Sequence, residues 1–122
     1  MNQRTFFKSA LLSLSALALT AVATVSVQKI HAADGDLKIY KFEADWCAPC
    51  QKMKPIFKKV SGDFKDVKFQ TVNVDKDSRT ADRFKVSILP TVIAVKNDEI
   101  VGRTTGFKSA YQLKSFIKKH NR

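Results

Sequence analysis

Both cysteines of this 122-residue chain fall in one pentapeptide, Trp46-Cys47-Ala48-Pro49-Cys50. Two thiols separated by two residues can close a small disulfide ring, and a helix starting at that point would activate the first of them. The same spacing also serves zinc sites and structural cystines. A zinc site would need two further ligands, and the only histidines, His31 and His120, lie near opposite ends of the remaining chain. A structural staple is a poor use of this spacing, because the entropy that a cystine removes from the unfolded chain grows with the loop it closes. A tryptophan before the pair, a proline inside it and a strand-like run leading into it favour redox chemistry.

The elements that must position the pair follow from periodicity and breakers. Leu37 to Phe42 reads as a strand, rich in β-branched and aromatic residues. Pro49 and the spacing of Met53, Ile56, Phe57 and Val60 predict a helix from Ala48 to Ser61, ended by Gly62 and bent at Pro55. Val67 to Val74 is expected to be a second strand and Asp77 to Phe84 a short helix with an acidic, capped start. Thr91 to Val95 and Ile100 to Thr104 are strands joined by a tight Asn97-Asp98 turn. Lys108 to His120 closes the chain as an amphipathic helix with Ala110, Leu113, Phe116 and Ile117 on one side. The order is β-α-β-α-β-β-α. A helical crossover favours a parallel first pair and the short turn an antiparallel last pair, which makes a mixed four-stranded sheet flanked by helices in an α/β fold.

The first third of the chain reads differently. Arg4 and Lys8 precede an uncharged stretch from Ala10 to Val27 with five Ser/Thr residues, the charged-then-apolar order of a secretory signal peptide. Residues 1–32 are assigned to it, with cleavage after about Ala23 or around Ala32-Ala33, and residues 33–122 to a single domain. An uncleaved membrane anchor is the alternative, and it is disfavoured by the Ser/Thr and alanine content. Export would place the domain in the periplasm or outside the cell, where disulfides persist.

Beyond Ala32 there are 19 Lys/Arg against 11 Asp/Glu. The lysines are dispersed, no run of five like charges occurs, and aromatics are not interleaved as a base-stacking platform requires. Nucleic acid is therefore not expected as a partner, and the basic charge reads as a solvated surface.

With this element order, the chain resembles the thioredoxin family over about Leu37 to Lys119. The motifs that carry the resemblance are Ala44 to Cys50 (ADWCAPC), the helix proline Pro55, Val72 to Asp75 (VNVD), Ile88 to Thr91 (ILPT) and Gly106. The resemblance implies a compact thioredoxin-like fold with a reduced N-terminal strand and helix; Thr24 to Ile30 is a candidate for that strand. It implies a cis peptide before Pro90, with a client segment pairing beside Leu89. It implies a redox-active disulfide with Cys47 as nucleophile at the helix N-terminus and Cys50 as resolving thiol, and a site shaped by Trp46, Pro49, Leu89, Pro90 and Gly106. No organic cofactor and no metal are implied.

The chain departs from the family where it matters for protons. Lys41 stands where a buried aspartate is usual, and Thr71 where its lysine partner is usual. Glu43 projects from the same strand face as Lys41 and is either a substitute, an ion-pair partner or solvated. A cation at Lys41 would favour the Cys47 thiolate and make the disulfide a better oxidant, whereas Ala48-Pro49 resembles the reducing members. The expected activity is that of an exported thiol–disulfide oxidoreductase that reduces or reshuffles disulfides of exported client proteins. A membrane thiol donor would supply electrons, and the protein would touch the membrane only through an uncleaved signal segment and work as a monomer. Net oxidation of clients, or a non-catalytic binding module, are the alternatives.

Overall fold

The computed structural model describes residues 36–122; the signal-peptide reading and the Thr24 to Ile30 strand lie outside the described residues. The order is β1 (Lys38–Glu43), α1 (Ala48–Gly62), β2 (Lys68–Asn73), α2 (Ser78–Arg83), β3 (Thr91–Lys96), β4 (Glu99–Thr105) and α3 (Ala110–His120). The four strands form one sheet in the order β2-β1-β3-β4. β1 and β2 are parallel, with Lys41 opposite Thr71, and β3 is antiparallel to both β1 and β4.

Alternation along β1 and β3 supplies both faces of the sheet. On one face Ile39, Val92 and Ala94 pack with Met53, Phe57 and Val60 of α1 and Leu113 and Ile117 of α3. On the other, Phe42, Ile93 and Val95 pack with Val72, Ala81 and Phe84 under α2. Each of these side chains larger than alanine contributes about 1.5–3 kcal/mol by leaving water. The hairpin turns as its sequence demands, with φ of 53° at Asn97 and 61° at Asp98, both in the left-handed region that this turn requires.

Two helix ends differ from expectation, and one cap agrees with it. α1 runs through Gly62, and Asp63 in right-handed conformation forms the cap, so Gly62 supplies no left-handed stop. α2 has the acidic, capped start expected of it: Asp77 is the N-cap, and its carboxylate accepts from the Thr80 N–H at 3.0 Å. α3 begins two residues later than the apolar spacing suggests, because Ser109 and Gln112 form a reciprocal capping box. Pro55 lies inside α1 with its ring exposed, and its missing N–H leaves the Gln51 carbonyl without that intrahelical donor.

Candidate functional site

The C-terminal end of β1, the N-terminal end of β3 and the N-terminus of α1 converge on the cysteines. Cys47 and Cys50 are joined as a disulfide with their Cα atoms 5.2 Å apart. Cys47 is the N-cap of α1, and its Sγ accepts the Cys50 N–H at 3.3 Å. Ala44 and both cysteines form a small buried cluster, against which Val74 and Leu89 pack. Cys50 is fully buried, and Cys47 is 6% exposed.

A groove of about 490 Å³ opens at Cys47, lined by Trp46, Ala48, Pro49, Val74, Val86, Ser87 and Leu89. The Leu89-Pro90 peptide is cis, and the Pro90 carbonyl accepts the Gly106 N–H at 2.8 Å. Gly106 has φ of 78°, a conformation that a side chain would strain. The structure thus brings Trp46, Cys47, Pro49 and Leu89 to one groove. Pro90 lies beneath it, and Gly106 is its support from β4 rather than a wall.

Trp46 is 72% exposed, so its indole is a rim and not core packing. It is nonetheless pinned: its Nε1–H donates to Asp75 Oδ2 at 2.9 Å. Asn73 donates from Nδ2 to Asp45 Oδ1 at 3.2 Å and accepts the Asp75 N–H at 3.0 Å. Gln51 donates from Nε2 to the Ala44 carbonyl at 3.0 Å. Sequence reasoning did not assign Asp45, Gln51, Asn73 or Asp75 to the site. The VNVD run was visible, but only the fold shows that the end of β2 lies beside the tryptophan.

Lys41 and Glu43 reach neither the groove nor solvent. Lys41 is 2% exposed and Glu43 5%, so a solvated role is excluded for both. Lys41 Nζ lies 2.6 Å from Glu43 Oε2 and 5.0 Å from the centre of the Phe57 ring. Oε2 has no hydrogen-bond partner among the described residues and is held by charge. Lys54, one helical turn beyond Cys50, approaches the other carboxylate oxygen at 3.5 Å. One carboxylate therefore sits between two ammonium groups on the inner side of the active helix. Among the described residues no cluster of three or more His, Cys, Asp or Glu is placed to hold a metal.

A disulfide at the N-terminus of a helix, beside a groove floored by a cis-proline loop on a β-α-β-α-β-β-α scaffold, defines a dithiol–disulfide exchange protein. A sequence profile of that class, described as Thioredoxin, matches residues 20–119. The thioredoxin of Chlamydia pneumoniae is 33% identical over 84 residues, covering 69% of this chain and 82% of that protein. Thioredoxin H2-1 of rice is 40% identical over 70 residues, 57% of this chain; the match spans about half of the rice protein, 51%. Among solved structures, thioredoxin NaTrxh from Nicotiana alata superposes with a TM-score of 0.69 at 34% identity, covering 72% of this chain and 76% of that one. The Schistosoma mansoni thioredoxin pre-protein gives 0.66 at 36% identity, over 75% and 86%. The chain belongs to the thioredoxin family, and by its fold and its cysteine pair it is a thioredoxin-type thiol–disulfide oxidoreductase.

Proposed function

We propose that this chain is an exported oxidoreductase that reduces or reshuffles disulfides of proteins outside the cytoplasm. The observation that carries the chemistry is the Cys50 N–H pointing at Cys47 Sγ from the first turn of α1, while Cys50 itself is buried. A thiolate at Cys47 gains that donor and the positive end of the helix dipole. It attacks one sulfur of the client disulfide; that S–S bond breaks, and the first client thiolate leaves and takes up a proton. The Cys50 thiol then gives up its proton and attacks Cys47 Sγ, releasing the second client thiolate. Two electrons pass to the client, and the chain is left with the Cys47–Cys50 disulfide. Trp46, Pro49 and Leu89 would shape the groove for an extended client segment, with Pro90 and Gly106 fixing its floor.

Export rests on the Arg4/Lys8 and Ala10 to Val27 pattern. A reductant there needs a continuing supply of electrons, which we assign to a membrane thiol carrier. The decisive test is turnover of insulin disulfides with dithiothreitol as donor. Acceleration over dithiothreitol alone supports the oxidoreductase, and none would support a binding module. Fractionation of cells producing the full chain tests the address: recovery in the cytosol with residues 1–32 intact rejects export.

Lys41 favours a second reading of direction. With Lys54 it outnumbers Glu43 on the inner side of α1, and net positive charge there stabilises the reduced, thiolate-bearing protein. The disulfide is then more oxidising than the value of about −270 mV typical of thioredoxin. Each tenfold change in thiolate stability is worth about 30 mV. Titration against glutathione buffers, read by Trp46 fluorescence with thiol trapping, measures this. Lys41→Met should move the potential to more negative values, and an unchanged potential removes the ion pair from the redox argument.

A further inference from the structure

The net charge of the described domain is not spread evenly around it. Segments 48–66 and 108–122, which contain α1 and α3, hold ten Lys/Arg against two Asp; segments 36–47 and 67–107 hold nine against eight. Both acids of the helical side are occupied within the fold. Asp63 pairs with Lys114 at 2.7 Å, and Asp66 accepts from Asn121 Nδ2 at 2.9 Å. Lys52, Lys58, Lys59 and Lys118 are exposed and have no ion pair among the described residues. The inward residues of α1 and α3 pack in one core cluster on one side of the sheet, so their outward residues form one continuous cationic face.

We infer that this α1/α3 face docks the protein on an anionic bilayer surface. The charge is almost wholly lysine, a mobile point charge suited to laterally mobile headgroups; the planar fork that reads nucleic-acid phosphates is present only once, at Arg122. The lysines extend along α1, about 22 Å for its 15 residues, rather than gathering at one key position. Tyr111, 82% exposed on α3, supplies the amphipathic ring that settles at headgroup depth. A hollow of about 370 Å³ between Tyr111, Lys114, Ser115, Lys118, Lys119 and Arg122 is large enough to admit a headgroup phosphate. No helix among the described residues is long and apolar enough to cross a membrane, so the contact is peripheral. Apart from Ala48 and Pro49, the residues lining the disulfide groove lie off these two helices, and the groove stays open to clients while the face is engaged.

Vesicle sedimentation of the full chain tests the proposal, using phosphatidylcholine alone and phosphatidylcholine with phosphatidylglycerol. The N-terminal segment, with Arg4 and Lys8, is the same in every variant, so the readout is how far each variant changes the preference for anionic vesicles. The wild type should prefer anionic vesicles at low salt and lose that preference at high salt. Lys58→Glu, Lys59→Glu and Lys118→Glu together should reduce it about 100-fold, at roughly fivefold per lysine near such a surface. Lys76→Glu, Arg79→Glu and Arg83→Glu, on the opposite side, should leave it intact, with insulin turnover confirming that both triple variants fold. Three outcomes overturn the proposal: equal binding to both vesicles, equal losses in the two variants, or retention by nucleic acid or polyglutamate without vesicle binding.

Discussion

The two faces of the sheet are built by different rules. Under α2, Phe84 meets Tyr40 at 5.0 Å and Phe42 at 5.5 Å, an aromatic cluster without a buried charge among the described residues. Under α1 and α3, a larger aliphatic core is interrupted by the Lys41–Glu43 pair. Burying two charges costs several kcal/mol per ion, which the mutual attraction offsets only in part. The face that could have been wholly apolar is thus the one behind the redox helix. A charge pair is a costly way to fill space, and the proposed reading of direction gives it an electrostatic role behind that helix.

The difference between the two faces depends most on Lys41. Lys41→Met leaves Glu43 buried with only the half-exposed Lys54 near it, and should destabilise the domain by about 3–5 kcal/mol. Adding Glu43→Leu should restore most of that loss, which urea denaturation of the oxidised protein can measure. If the double variant is no better than the single, the pair is not the cost-bearing element that the comparison makes it. On the other face, Phe84→Ala should cost about 3 kcal/mol through lost packing. It should leave the reduction potential unchanged; a shift would show that both faces tune the disulfide.

The same contrast explains what could be read beforehand. Ile39, Met53, Phe57, Leu113 and Ile117 were legible because each sits at a strand or helix period that buries it. The cysteine pair and Pro90 were legible because few other arrangements use those residues in that order. Lys41 and Glu43 could be placed on one strand face, but not buried, since long charged side chains usually reach water. Their fate depended on Phe57 and Lys54, residues of another element. The Trp46–Asp75 contact spans 29 positions, and only the pairing of β1 with β2 brings them together. The start of α3 was the other blind spot, although the Asp77 cap of α2 was not: Ser109 with Gln112 sets that start by hydrogen bonding that apolar spacing does not encode.

A smaller effect is expected at the far end of the α1/α3 face, where His120 of α3 lies over Gly102 of β4. A Cβ at Gly102 would fall 2.3 Å from His120 Nε2, so the ring rests in a notch that only glycine leaves. His120 also meets Phe116 edge-on, with centroids 4.8 Å apart. Gly102→Ala should cost about 1–2 kcal/mol by expelling the ring. His120→Ala in the same background should recover most of it, and no recovery would place the clash in the backbone instead.

The smallest effect is the titration of His120. Burial holds its pKa below the ordinary histidine value of 6.5, and the neighbouring Lys119 charge adds to the depression. The folded state therefore binds a proton less readily than the unfolded chain, whose histidine titrates near 6.5. As pH falls through that value the unfolded state gains protons first, and stability declines until the folded-state pKa is passed. Because the ring is only partly withdrawn from solvent, the change should be at most about a few tenths of a kcal/mol. Thermal unfolding at pH 7.5 and pH 5 should show a difference that shrinks in His120→Gln. An undiminished difference would exclude His120 as its source. Asp63 acts in a lower window: its hydrogen bond to Lys114 holds its pKa below the usual carboxylate value, so the stability it contributes is lost only as pH falls below that value.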